Sequence, residues 1–479
     1  DRPGCDEPAS APARDAGPSS LAACDGGEAW ACPEGWVRAA PGGCGPAALL
    51  CQPDGGAAPG ACDDPRVRES TPFATDDGGT GWRFGVGPDG SITGGWNARP
   101  PMCPEGWRPQ DDGACEPVMA TCPEGSSPIP GGRCTPTAAS DCPMGPFPAP
   151  DAETVGARVV YVRADALAQG ANGREDHPFR TLREGLADAG ADGWVFVAAG
   201  TYREALVIPA SARVRGLCAA RVTLDPGAVV AMEVTGSLRL RGVSVRGGVR
   251  VRGSLDAREV ALHATGGSAV EIDGEGARAT LRDVRFILPM AGANFAVRVV
   301  RGASVAVTNF AVEAGAGVGF YAASAVPLTL ADGTVRGVRP DGASEWAGRA
   351  LWAQGGARVT ADRLVLDDNT EQAITLHDRG TELTLRHAVI RGTRPVGPDG
   401  GGKGIETKFG ASATLEYVRL IDNANASASA FEGASLTLRD CLVRDTHARG
   451  NGTGGRGVDA HHMGTLTVER TVVEGSHEV

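Results

Sequence analysis

Apolar and polar residues alternate with a period of two through much of the second half of the chain, and one strand-like phrase recurs there eight times. The copies are Thr280-Leu281-Arg282-Asp283, Ala306-Val307-Thr308-Asn309, Thr329-Leu330-Ala331-Asp332, Thr360-Ala361-Asp362-Arg363, Thr384-Leu385-Arg386-His387, Thr414-Leu415-Glu416-Tyr417, Thr437-Leu438-Arg439-Asp440 and Thr467-Val468-Glu469-Arg470. Thr fills the first column in seven of the eight, and the steps between copies are 26, 23, 31, 24, 30, 23 and 30 residues. Short period-two runs bounded by glycine predict β-strands, and a repeat of this length predicts a solenoid. Each copy is too short to bury its own apolar face, so it must stack on its neighbours.

Residues 158–217 follow another pattern. Val159-Val160-Tyr161-Val162 reads as a strand, and a helix near 178–190 follows: Pro178 suits its first turn, Phe179, Leu182, Leu186 and Ala189 share one face, and Gly190 can end it. Such a helix would cover the open edge of the first rung. The run Pro178-Phe179-x-Thr181-Leu182, then Val195-x-Val197-x-x-Gly200-Thr201-Tyr202-x-Glu204, then Val214-x-Gly216 resembles the opening of the pectin-lyase-like, right-handed parallel β-helix superfamily. The resemblance covers residues 158–479 and implies an all-β fold of about ten to twelve rungs. That superfamily includes polysaccharide lyases, hydrolases and epimerases, but also adhesins, phage fibres and exported proteins without activity. The fold therefore leaves the function open.

The catalytic signatures of such relatives are absent, including the lyase-like Arg-x-Pro-x-x-Arg and the epimerase-like Asp-Pro-His-Glu. Asp367-Asp368 resembles the paired carboxylates of polygalacturonase-like hydrolases, without their companion motifs. Asp368-Asn369 recurs as Asp422-Asn423, which marks it as a turn word.

Aligning the strand after each turn sends Leu351, Ile374, Ile405, Ala428 and Val458 inward. Two outward columns result. One holds Trp352, Thr375, Glu406, Ser429 and Asp459, the other Gln354, His377, Lys408, Phe431 and His461. Extra residues precede this strand in alternate rungs, and the anchors Arg336, Arg391 and Arg444 lie 55 and 53 apart, so the unit is a pair of rungs with its loops on one side. By analogy with the lyase-like relatives, a groove should run past Trp352, His377, Glu406, Lys408, Asp459 and His461, walled by Trp346, Arg349, Arg394 and Lys403. Such outward polar residues are solvated by default, and Glu406 with Lys408 reads equally as a surface ion pair worth under about 1 kcal/mol.

Composition narrows the setting. Eleven of thirteen cysteines precede residue 143, so residues 1–150 form a disulfide-stapled, Pro/Gly-rich region ahead of the helix at 151–479, made in an oxidising compartment. Cys32-Pro33-Glu34-Gly35, Cys103-Pro104-Glu105-Gly106 and Cys122-Pro123-Glu124-Gly125 are each followed by a cysteine twelve residues on, predicting the pairs Cys32–Cys44, Cys103–Cys115 and Cys122–Cys134. The odd remainder suggests Cys142–Cys218, leaving Cys441 a buried free thiol. Trp107 and the other tryptophans of this region read as a miniature core. Asp63-Asp64, Asp76-Asp77 and Asp111-Asp112 hint at structural Ca²⁺ without full ligand spacing, and no other cofactor is expected.

With 46 Lys+Arg against 58 Asp+Glu, a nucleic-acid partner is disfavoured, and only Lys403 and Lys408 are lysines. No run is long enough to span a bilayer. The leading expectation is an exported extracellular or cell-surface rod, lipid-anchored or part of an assembly, mediating adhesion or self-associating through its last rung. The alternative is a polysaccharide-binding or polysaccharide-degrading protein using the groove, and, if an enzyme, a lyase or hydrolase.

Overall fold

The computed structural model describes residues 103–477, except 111–113, 125, 136–141, 293 and 341–346, together with the strands Trp36–Arg38, Cys44–Pro46, Gly81–Val86 and Ile92–Asn97. The chain divides into two compact units, residues 1–77 and 78–479. Trp346, Cys32 and the three Asp-Asp pairs lie outside the described residues, and with Cys32 the expected Cys32–Cys44 bond.

From Val159–Val162 onward the second unit is a right-handed parallel β-helix, with one sheet stacking strands in a single path from Leu206–Ile208 to Arg456–His461. The repeated phrase is in register throughout. Thr280 lies beside Ala306, followed by Thr329, Thr360, Thr384, Thr414, Thr437 and Thr467. Its second column, Leu281 through Leu438, points into one continuous apolar core.

The fourth column is where each rung bends. Asp283, Asn309, Asp332, Arg363, His387, Tyr417, Asp440 and Arg470 all adopt φ between 45° and 58°. A left-handed residue costs L-amino acids roughly 1–2 kcal/mol. Pairing between rungs offsets that cost: Asn309 Nδ2 donates to Asp283 Oδ1 at 3.1 Å, Arg363 Nε to Asp332 at 2.7 Å and Arg470 to Asp440 at 2.7 Å. The His387 ring stacks on Tyr417 at 5.3 Å.

The capping helix spans Leu182–Ala189 and so starts later than the expected 178. Thr181 is its N-cap, closing a capping box with Glu184, which leaves Pro178 outside and lets Phe179 bridge to Val162. Glu204 accepts the backbone N–H of Leu182 at 2.6 Å and of Arg183 at 3.1 Å, placing a carboxylate at the helix N-terminus. Tyr202 donates to Ala198 O at 2.9 Å. The Gly-Thr-Tyr-x-Glu motif therefore works by fastening the cap.

Cys103–Cys115, Cys122–Cys134 and Cys142–Cys218 are disulfides, and among the described residues Cys441 is free and buried. Burial pushes its thiol up to about 12. The first two disulfides close small hairpins that lie on the helix. Beneath them runs an outward column of Ala311, Thr334, Val365, Val389 and Arg419, all buried. Trp107 and Cys115 pack on Val389, Thr334 Oγ1 donates to Pro128 O at 3.2 Å, and Arg419 pairs with Glu116 at 3.0 Å. Trp107 is core, as its sequence context suggests, but the core it joins is the outer wall of the β-helix. No described helix is long and apolar enough to cross a membrane.

Candidate functional site

The outward columns form on the sheet that contains Arg349–Gln354, Gln372–His377, Lys403–Lys408, Ala426–Phe431 and Arg456–His461. Trp352 lies beside Thr375, then Glu406, Ser429 and Asp459, while His377 lies beside Lys408 and Phe431 beside His461. Alternation fixes which side chains emerge, and parallel register aligns them.

The centre of this face is not solvated as expected. Thr375, Glu406 and Ser429 point away from the core yet are buried. The Glu406 side chain is only 3% exposed, with Lys403 Nζ in contact with Oε1 and Lys408 Nζ 2.8 Å from Oε2. Glu406 and Lys408 are thus part of a buried three-membered cluster and not a surface ion pair. Burial pushes the carboxyl up, but the two ammonium groups outweigh it and hold it below the usual range. The Ser429 Oγ next to it has no hydrogen-bond partner among the described residues.

Arg349 lies 4.8 Å from the Trp352 ring centre, and its Nε donates to Gln372 Oε1 at 2.8 Å. Burial lowers its affinity for the proton, and Glu406 and Glu371 oppose the effect. Upstream, Trp352 meets Tyr321 edge-on at 5.1 Å, and Tyr321 meets Phe295 at 5.5 Å, so three aromatic rings occupy three successive rungs. Gln354 Nε2 donates to Tyr321 Oη at 2.8 Å. His377 packs on Phe409 at 4.8 Å; burial and Lys408 depress its basicity, with Asp378 opposing.

Arg349, Trp352, His377, Lys403, Glu406 and Lys408 are therefore neighbours. Asp459 and His461 form their own pair at 3.0 Å one rung beyond Ser429, with His461 against Phe431 at 4.7 Å. Arg394 lies elsewhere in the contact network: it binds Asp422 at 2.5 Å, which also meets His447 at 2.6 Å. The second and third loops stack, since Asn451 Nδ2 donates to Asp399 Oδ1 at 2.7 Å and Arg449 to Asp399 O at 3.2 Å. Glu371 holds the middle loop by accepting the N–H groups of Val396 at 2.9 Å and Gly401 at 3.0 Å.

Phe295, Tyr321 and Glu371 escaped the sequence reading. Extending the strand alignment one rung upstream finds Tyr321, but the next position in that column is Arg298 and Phe295 stands outside it, whereas Glu371 sits at a left-handed turn with φ 60° and carries no local signal. The Asp367-Asp368 pair is committed to arginines: Asp367 meets Arg336 at 2.9 Å and Arg391 at 3.1 Å, and Asp368 meets Arg339 at 2.5 Å. Asn369 and Asn423 are buried turn residues, each accepting one backbone N–H and donating to one carbonyl. Among the described residues no group of three or more His, Cys, Asp or Glu side chains converges to hold a metal.

No family model matches the chain, and no curated protein matches it in sequence. Solved structures similar to it include the Agl-KA catalytic domain, with 10% identity and TM-score 0.39 over 68% of this chain and 70% of that one. Pectate lyase Pel9A matches with 12% identity and TM-score 0.33 over 67% and 80%. The catalytic unit of the GH87 alpha-1,3-glucanase from Streptomyces thermodiastaticus strain HF3-3 matches with 12% identity and TM-score 0.33 over 70% and 71%. The likeness is one of fold.

Proposed function

We propose that this is an extracellular, disulfide-stapled β-helical protein that binds a glycan along the outward face running from Phe295 to Lys408. The observation that carries the reading is the aromatic row Phe295, Tyr321 and Trp352 on successive rungs, ending at the Lys403–Glu406–Lys408 cluster. Ring faces and edges at half-buried positions suit the apolar faces of sugars, and flanking amide and charged groups suit hydroxyls. Three disulfides support an oxidising compartment. Binding without cleavage is the better fit, because Glu406 is held ionised by two lysines and so is a poor general acid.

A glycan array with wild type, Trp352→Ala and Tyr321→Ala tests this. Specific binding that falls about tenfold or more in either variant supports it, on the scale of one lost aromatic contact. Retention of no glycan, or binding indifferent to both substitutions, overturns it, and release of reducing ends would convert the reading to catalysis. Adhesion at a cell surface and assembly through the last rung remain further proposals, the latter checked by sedimentation at high concentration.

A further inference from the structure

The charges along this face are unevenly committed. Upstream of the aromatic row, Glu271 receives both Arg250 at 3.3 Å and Arg298, and Glu233 receives Arg252 at 3.0 Å. Asp378 accepts the N–H of Gly355 at 3.1 Å and lies 3.9 Å from His377. Beyond Ser429, Asp459 is matched by Arg456 at 3.4 Å and His461 at 3.0 Å. At the Lys403–Lys408 rung the balance differs. Two ammonium groups share the single Glu406 carboxylate, with the Arg349 guanidinium nearby, while the Glu371 carboxylate is occupied by loop N–H groups. The protein carries a formal charge of −12 and has only two lysines, and both converge here.

The aromatic row and the cationic rung lie on one face, and the five strands from Asn294–Val300 to Lys403–Lys408 span roughly 19 Å at the spacing of stacked strands. We infer that the site selects a sparsely acidic glycan: uncharged sugars over Phe295, Tyr321 and Trp352, and one anionic group, a carboxylate or sulfate, over Lys403 and Lys408. A polyuronate, charged at every unit, is disfavoured because Arg250, Arg252 and Arg298 upstream on this face are already paired with carboxylates and the protein as a whole repels it. The inference rests on the glycan-binding reading and adds the charge pattern of the ligand.

The test is a glycan array, followed by calorimetry, holding neutral oligosaccharides, the same chains bearing one uronic acid, sialic acid or sulfate, and oligouronates. The expected result is that a singly acidic chain binds about tenfold tighter than its neutral parent at low salt, with the gain fading by about 0.5 M NaCl as screening sets in. Lys408→Gln should remove the gain and Lys408→Arg should keep most of it, while Trp352→Ala weakens neutral and acidic chains alike. Carboxylate and sulfate forms report which anion is preferred. Equal binding of neutral and singly acidic chains, or tighter binding of oligouronates, overturns the charge pattern while leaving glycan binding intact. Retention of none of them overturns both.

Discussion

Lys408 Nζ lies 2.8 Å from Oε2 of Glu406, a carboxylate that emerges from the outer side of the sheet and yet is almost wholly excluded from water. Lys403 meets the other oxygen. Removing the acid leaves two ammonium groups facing each other. Glu406→Gln should lower stability by about 2 kcal/mol, below the usual cost of breaking a buried pair because both lysine heads can move toward solvent. The carboxyl is held low in the folded state, so its contribution is complete above the unfolded value near 4.3 and is lost as pH falls through the folded value. Chemical denaturation at pH 7 and pH 3 should therefore show a smaller difference between variant and wild type in acid.

Asn423 bridges two rungs at a buried turn. It accepts from Thr393 N at 3.1 Å and donates to Ile390 O at 3.2 Å. Asn423→Ala strands both groups in a dry interior and should cost about 2–3 kcal/mol, read as a shift in denaturation midpoint. Asn423→Asp should fail to rescue it, because a carboxylate cannot donate to Ile390.

Gly333 lies opposite Phe310, whose ring comes within 2.1 Å of where a β-carbon at 333 would stand. Gly333→Ala should destabilise by about 1–3 kcal/mol through overpacking. Adding Phe310→Leu should recover part of that loss, which a double-mutant cycle by thermal unfolding would reveal.

Val389 is the apolar contact between the β-helix and the Cys103–Cys115 hairpin. Val389→Asp should detach the hairpin without unfolding the solenoid, since the side chain points outward. Limited chymotrypsin digestion is expected to cut after Trp107, which is buried against Val389, at least tenfold faster in the variant, with the β-sheet circular dichroism unchanged.

His263 is half-buried, with Ser244 Oγ 3.1 Å from its Nε2, and burial beside Arg246 and Arg285 lowers it to about 4. The unfolded chain takes up this proton near 6.5, so the stability it contributes is present at neutral pH and is lost as pH falls from 6.5 toward 4. His263→Gln should flatten that part of the stability curve by on the order of 1 kcal/mol, after allowing for partial exposure.

The register of the β-helix was legible from one column of threonines, and the outward columns followed from alternation, because both are local properties of a strand. The spacing of twelve residues likewise anticipated the Cys103–Cys115 and Cys122–Cys134 bonds, since a short hairpin brings its own ends together. Asp283 and its equivalents stand last in the repeated phrase and form the bend of each rung, a role shared by Asp, Asn, Arg, His and Tyr and so invisible as a residue type.

By itself, then, the sequence determined a parallel solenoid, the Cys103–Cys115 and Cys122–Cys134 hairpin bonds and which side chains leave the sheet on each face. Only the tertiary structure decided that Glu406 is buried between the protein's two lysines, that Arg394 belongs to Asp422, and that Val389 is roofed by a cysteine hairpin. Direction along a strand is set by its neighbours in sequence. Burial is set by what arrives from rungs and segments 20 to 300 residues away, as in the 303-residue separation of Arg419 from Glu116.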